Sequence, residues 1–233
     1  MLELKGLHLK EGEFELRADL SLRAAGRYAV IGPSGAGKST LLDAIAGFRP
    51  LVSGAVSWNG QPFTDLTPAE RPLAMLFQDN NLFPHLTIER NLALALRPDG
   101  GRIGAEGREK IVQALADVGL AGMGGRKPAQ LSGGQQSRAA LARVVLQERP
   151  IMLLDEPFSA LGPALKVEML DLLAKVADRL QALVLIVTHD PNDARRFAPE
   201  TVLVSDGIAH APQPTGPLLD NPPPALAQYL GGA

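Results

Sequence analysis

The sequence predicts an α/β domain with a mainly parallel sheet, an antiparallel β flap at its N-terminal end and a helical insert in its middle. Three observations carry this reading. Short apolar runs, RYAVI, PLAMLF, PIMLLD and ALVLIV, each end at a Gly-rich or polar turn. Helical patterns follow the first run and separate the last two, the strand–helix–strand order of a parallel sheet. Between about Asn80 and Leu146 strand signals give way to amphipathic helical periodicity.

Taken in order, LELKGLHL and FELRADLSLR alternate polar and apolar residues and read as an antiparallel pair. RYAVIG is a buried strand that runs into GPSGAGKST. KSTLLDAIAGF is a helix that Gly47 can end. GAVSWNG is a strand with a turn at Asn59-Gly60, and PLAMLFQ is another buried strand. NLALAL, REKIVQALADVGL and SRAALARVVLQ are expected helices, punctuated by RPDGGR and GMGGRKP. PIMLLDEP and ALVLIVTHD return to strands, with LKVEMLDLLAKVADRL as the helix between them. TVLVSDGIAH reads as a closing hairpin, and NPPPALAQYL as a loop with a short helix. Residues 1–79 and 149–233 should form the core with its flap, and 80–148 the helical subdomain of a single functional domain.

Composition narrows the function. The 233 residues are 45% hydrophobic, enough to bury a core. Lys and Arg number 23 against 25 Asp and Glu, so there is no overall pull towards nucleic acid. Cysteine is absent, which excludes disulfides and Cys-ligated zinc. The N-terminal stretch lacks the apolar centre of a secretory signal. The longest apolar runs, such as LVLIV, fall far short of the ~20 residues a membrane helix needs. The chain is expected to be soluble by itself, so any membrane role must come through a partner.

Gly32-Pro33-Ser34-Gly35-Ala36-Gly37-Lys38-Ser39, followed by Thr40, fits the G-x-x-x-x-G-K-[ST] phosphate loop in its strand-to-helix context. Backbone N–H groups and the helix N-terminus there attract phosphate. Lys38 should reach the β- and γ-phosphates, and the Ser39 hydroxyl should bind Mg²⁺. Asp155 and Glu156 end an apolar strand, where ligands bind in parallel sheets. Asp155 is placed in the metal shell and Glu156 is the candidate base for an attacking water. Gln78 and His189 end two other strands. Each could reach the γ-phosphate or its water, or equally serve as a hydrogen-bonded cap. A second Gly-rich turn, LSGGQ at 131–135, opens a helix and can also hold an anion, or simply cap that helix through Ser132.

GPSGAGKST, Gln78, LSGGQ, IMLLDEP and Thr188-His189, in that order, resemble the ATP-binding-cassette ATPases over roughly residues 1–210. The resemblance implies a P-loop NTPase (RecA-like) core and hydrolysis of ATP with Mg²⁺. It implies Lys38 and Ser39 as phosphate and metal ligands, and Gln78 as the sensor of metal and water. Asp155 would then organise the metal, Glu156 act as catalytic base and His189 as the switch on the γ-phosphate. It also explains the second loop. Ser132, Gly133, Gly134 and Gln135 would close over ATP held by a second copy of the chain, in a head-to-tail dimer that ATP holds together and hydrolysis releases.

Three positions depart from the family pattern. Ser159-Ala160-Leu161 is followed by Gly162 where an Asp is usual, which removes a carboxylate used in communication across the dimer. Gln136 replaces a common basic residue, although Arg138 remains. The flap offers Phe14 and no clear Tyr or Trp to stack on adenine, and Phe14 could equally be core. The segment 79–87 after Gln78 is expected to help form a groove for a transmembrane permease subunit, or to pack as insert core. Its wording, FQDNNLFPHLT, is similar to the ATPases of bacterial thiamine importers. That resemblance implies a subunit on the cytoplasmic face of the inner membrane, serving a permease and, indirectly, a periplasmic solute-binding protein. Other readings are an importer ATPase for an anion, metal or polyamine, a soluble cassette ATPase without a transport role, and a decayed regulator.

Overall fold

The computed structural model describes residues 1–79 and 81–231. Asn80, the start of the expected helical subdomain and part of the FQDNNLFPHLT resemblance, lies outside the described residues.

The alternating N-terminal stretch forms β1 (Leu2–Glu11) and β2 (Phe14–Leu22), paired antiparallel with Leu2 opposite Leu22 and Leu9 opposite Leu16. Their apolar faces turn inward: Leu2, Leu4, Leu7, Leu9, Leu16 and Leu22 are all essentially inaccessible. β1 also pairs antiparallel with β4 (Ser53–Trp58), which carries the two-residue β5 (Gln61–Pro62) on its outer edge. The turn between β4 and β5 is Asn59-Gly60, both at positive φ, as the sequence predicts.

The apolar runs form the parallel strands β3 (Arg27–Ile31), β6 (Leu73–Leu76), β7 (Ile151–Asp155) and β8 (Leu183–Val187), joined by β9 (Glu200–Ser205). Their order is β6-β7-β8-β3-β9, every neighbour parallel. β9 turns through Asp206-Gly207 into β10 (Ile208–Ala209), the expected hairpin. β10 then pairs parallel with β2, so flap and core form one continuous curled sheet. A short β11 (Gln213–Pro214) lies antiparallel on β9.

Helix α1 (Lys38–Ala46) follows β3, and Gly47 ends it in the left-handed conformation, its N–H donating to Ala44 and Asp43 carbonyls. The insert supplies α2 (Ile88–Leu96), α3 (Ala105–Asp117) and α4 (Gly133–Val145). Their own core is Ile88, Leu92, Ile111, Leu115, Leu120 and Leu131, with Ala139, Ala142 and Leu146 of α4. Ala140, Leu141, Val144 and Val145, on the other face of α4, pack into the core beneath the parallel sheet. One helix thus belongs to both lobes, because its apolar residues encircle more than one face. α5 (Pro163–Leu180) and α6 (Pro191–Phe197) cover that same sheet face. The tail contains α7 (Thr215–Asp220) and α8 (Pro224–Gly231), one helix more than the sequence reading placed there.

Candidate functional site

Parallel register brings the predicted residues to one edge of the sheet. Leu76 lies opposite Leu154, Asp155 opposite Val187, and Val30 also opposite Val187. The chain segments that follow are therefore neighbours: Gln78 after β6, Asp155-Glu156 at the end of β7, Thr188-His189 after β8 and the glycine-rich loop after β3. Carboxyl ends of parallel strands are where such folds bind ligands.

The loop from Gly32 to Gly37 is shaped by close approach. A Cβ on Gly32 would lie 1.9 Å from the Val204 carbonyl oxygen, so only glycine passes under β9 there. Phe14, at the start of β2, leans its ring against Gly37 and packs on the flap core. Pro33, Ala36 and Thr40 are partly covered, while Ser34, Gly35 and Ser39 face outward. Lys38 is buried, and its ammonium donates to the carbonyls of Gly32 and Pro33, both at 2.9 Å. Burial lowers its pKa, opposed by the carboxylates of Glu156 and Asp155. The cation thus waits inside the loop, next to the acid pair.

Asp155 is pushed above the ordinary carboxylate range, first by burial, with Glu156 and Asp43 adding negative charge nearby. A hydrogen bond from Ser39 and the Lys38 charge oppose the shift. A half-buried carboxylate beside two others is a place for a cation. Ser39 and Asp155 are hard oxygen donors of the kind Mg²⁺ prefers, and one carboxylate plus a hydroxyl suits an ion that arrives with phosphates and keeps its waters. Among the described residues no cluster of three or more His, Cys, Asp or Glu could cage a metal by itself.

Glu156 sits at φ 44°, in the left-handed region that a non-glycine residue occupies only when its surroundings hold it. Here they do. Its N–H donates to the Val187 carbonyl at 3.2 Å, and its carbonyl accepts from the backbone N–H and hydroxyl of Ser159 at 3.3 and 3.1 Å. The side chain is turned to His189, with Oε2 3.1 Å from Nδ1. His189 is half exposed, so its other ring nitrogen can meet a ligand. Gln78 is exposed in the turn that follows β6. The structure therefore gathers Lys38, Ser39, Asp155, Glu156 and His189 at one edge of the sheet, with Ser39 bonded to Asp155 and His189 to Glu156, and leaves Gln78 at the same edge.

The sequence and the fold are both similar to those of known proteins. A family model described as ABC transporter covers residues 16–159, well over half of the chain. The chain belongs to the ABC transporter family. A thiamine import ATP-binding protein, ThiQ, of Cereibacter sphaeroides is 58% identical over 99% of this chain and 100% of its own length. The ThiQ of a Ruegeria species is 55% identical over the same shares. Among solved structures, a dimeric post-hydrolysis state of the ATP-binding cassette MJ0796 bound to ADP and Pi superposes with a TM-score of 0.78. Its identity is 31%, over 92% of this chain and 99% of that one. The predicted α/β class, with its mainly parallel sheet and β flap, agrees with the ABC ATPase fold.

In this ABC chain the second Gly-rich turn stands apart from the acid pair. Among the described residues no hydrogen bond or ion pair joins Ser132, Gly133, Gly134 or Gln135 to Lys38, Asp155 or Glu156. Ser132 is the N-cap of α4: the Gln135 N–H donates to its hydroxyl at 3.3 Å, and its own N–H donates to the Gln135 side chain at 3.0 Å. The S-x-x-Q spacing of Ser132 and Gln135 carries this capping box. Ser132 and Gly133 are exposed, whereas Gly134 is buried, its Cα pressed against Leu165 of α5 so that a Cβ would come within 2.2 Å of Cδ2. Gln136 uses its amide to hold the Pro128 and Leu131 carbonyls, which braces the turn from behind. Gly162 is the N-cap of α5, in extended backbone and open space.

Two groups lie beyond sequence reasoning. Lys166 on α5 pairs with Asp190 at 3.3 Å and Asp193 at 3.2 Å, flanking His189. Arg71, buried just before β6, donates to carbonyls at the C-terminal end of α1. Neither belongs to a short motif, because their partners come from distant elements.

Proposed function

We propose that this chain is the ATP-hydrolysing subunit of a bacterial importer whose solute is thiamine. Full-length identity of 58% to a thiamine import ATP-binding protein carries the choice of solute. The site geometry supports the chemistry. ATP would place its β- and γ-phosphates over the loop 32–40, and Lys38 would exchange the Gly32 and Pro33 carbonyls for phosphate oxygens. Asp155 and Ser39 would hold Mg²⁺, with Gln78 reaching it from β6. Bound there, the metal would neutralise developing charge on the phosphates. Glu156 accepts a proton from water as that water's oxygen bonds to the γ-phosphorus. The bond to the β–γ bridging oxygen breaks, leaving ADP and phosphate. His189 holds Glu156 through Nδ1 and presents Nε2 to the γ-phosphate.

A chain that exposes Ser132 and Gly133 at a helix N-terminus, away from its own Lys38, is suited to binding the ATP of a second copy. The dimeric MJ0796 cassette, 31% identical to this chain, supports assembly as a dimer. The surface facing a permease is read from the insert. Phe83, Leu94, Ala95 and Pro98 border a groove of about 630 Å³ with Ala69, and Phe48 and Phe83 are about half exposed. Apolar side chains beside Arg143, Gln147, Glu148 and Arg149 on the same groove are the mixture that a protein–protein interface carries. Among the described residues no helix is long and apolar enough to cross a membrane. Likeness to thiamine import ATP-binding proteins supports a subunit peripheral to the membrane, on its cytoplasmic face, that works with a permease and a solute-binding protein.

Two measurements test this. Purification of the tagged chain from membranes should bring along a permease whose complex shows ATPase activity stimulated by thiamine; stimulation by another solute alone would overturn the choice of solute. Glu156→Gln should cut turnover by about 10²–10⁴-fold and accumulate an ATP-bound dimer in size-exclusion chromatography. A variant that turns over as fast as the parent would remove Glu156 from the role of base.

A further inference from the structure

His189 is held on one side by its own loop. The Asp190 N–H donates to the Thr188 hydroxyl at 3.1 Å, and that hydroxyl donates to Asp193 at 2.9 Å. Lys166 ties Asp190 and Asp193 to α5, and its ammonium is stabilised by both carboxylates against the cost of burial. The His189 carbonyl is satisfied from elsewhere in the chain. The hydroxyl of Tyr229, on α8, donates to it at 2.9 Å. α8 is itself anchored. Leu226, one helical turn before Tyr229, is fully buried, and Tyr229 and Leu230 pack against the same core. A tyrosine phenol is protonated and a donor at neutral pH, and burial, with Glu156 and Asp190 close by, raises the Tyr229 pKa further.

We infer that Tyr229 is a positioning residue for hydrolysis: by holding the His189 carbonyl, the C-terminal helix keeps the imidazole against Glu156 and in reach of the γ-phosphate. The tail thereby acts on the site without touching nucleotide. Without the Tyr229 hydroxyl the loop is held by the Thr188, Asp190, Asp193 and Lys166 contacts alone, and the His189 carbonyl loses its tie to α8. The inference rests on the reading that His189 and Glu156 serve ATP hydrolysis.

Tyr229→Phe in the full-length chain removes the hydroxyl and keeps the ring in place. Three quantities are read: steady-state ATPase against ATP concentration, thermal midpoint, and amide hydrogen exchange of the nucleotide-free protein by mass spectrometry. Loss of one net hydrogen bond gives a kcat about three- to tenfold lower, with KM for ATP changed less than about twofold. Exchange should speed up by a similar factor in peptides spanning 188–191, with the loop 32–40 and α4 unchanged and the midpoint held. Unchanged kcat and unchanged exchange at 188–191 would overturn the inference. So would a fall in kcat accompanied by faster exchange throughout the chain and a lower midpoint, which is general destabilisation. Should the parent chain itself hydrolyse no ATP, the proposed function fails, and the exchange measurement alone decides whether Tyr229 holds the loop.

Discussion

Arg71 allows one perturbation to be worked through quantitatively. The residue is only 5% exposed and, among the described residues, has no carboxylate within ion-pair distance. It donates instead to four carbonyls: Leu66 at 3.1 Å, Thr64 at 2.5 Å, Ala44 at 3.1 Å and Ile45 at 2.7 Å. Its carbon Cζ lies 5.6 Å from the centre of the Phe63 ring. Ala44 and Ile45 are in the last turn of α1, so this cation caps the negative end of the helix that presents Lys38 and Ser39 at its other end. Burial depresses the guanidinium pKa, a sign of how much hydration it gave up.

Each hydrogen bond from a charged donor contributes about 1.5–3 kcal/mol. Desolvating the charge costs several kcal/mol, which offsets much of the gross gain of the four bonds. Arg71→Met removes the donors while keeping the aliphatic stem, and leaves those carbonyls short of a partner at about 1–3 kcal/mol for each that water cannot reach. With Ala44 also accepting from Gly47 and the loop carbonyls partly rehydrated, the expected net loss is about 3 kcal/mol. At a urea slope of about 3 kcal/mol/M, the midpoint should fall by about 1 M. Arg71→Lys should recover less than half of this, since one ammonium cannot span four carbonyls. A loss below about 1 kcal/mol, or full rescue by lysine, would refute the capping account.

Other outcomes follow from the same site. Asp155 titrates above its unfolded value, so the folded state binds its proton more readily; stability from this group is greatest at low pH and declines as pH rises through the raised pKa. Asp155→Asn should therefore be more stable than the parent at pH 7 without nucleotide, the advantage closing as the pH falls below the ordinary aspartate range. Thermal melts across pH check this, and the same variant should lose the stabilisation that Mg–ATP gives the parent. A variant no more stable at pH 7 would remove burial as the cause. Gly162→Asp restores a side-chain cap to α5 at a position with extended backbone and free space. It should add about 0.5 kcal/mol, read in chemical denaturation; a loss of stability would mean that the position is constrained by something other than its cap.

What the sequence determined by itself is local. Period-two and helical patterns name the elements, and the phosphate loop is legible because a strand, a glycine-rich turn and a helix adjoin in the chain. Asp155 and Glu156 are legible because they end an apolar strand. The Ser132 cap was legible too, from its spacing to Gln135. Tertiary structure alone decided what is joined across distance. The β10–β2 pairing closes flap and core into one sheet, yet each contributes only two residues to it, too short to leave a pattern. Arg71 reads as an ordinary surface cation until α1 turns its carbonyls towards it. Tyr229 reads as part of a Pro-rich tail until Leu226 anchors α8 and brings the phenol to His189. Hydrogen bonds to backbone carbonyls leave no mark on the partner's residue type, because every residue has one. That is why the polar side chains that hold this site in place were invisible until the chain was folded.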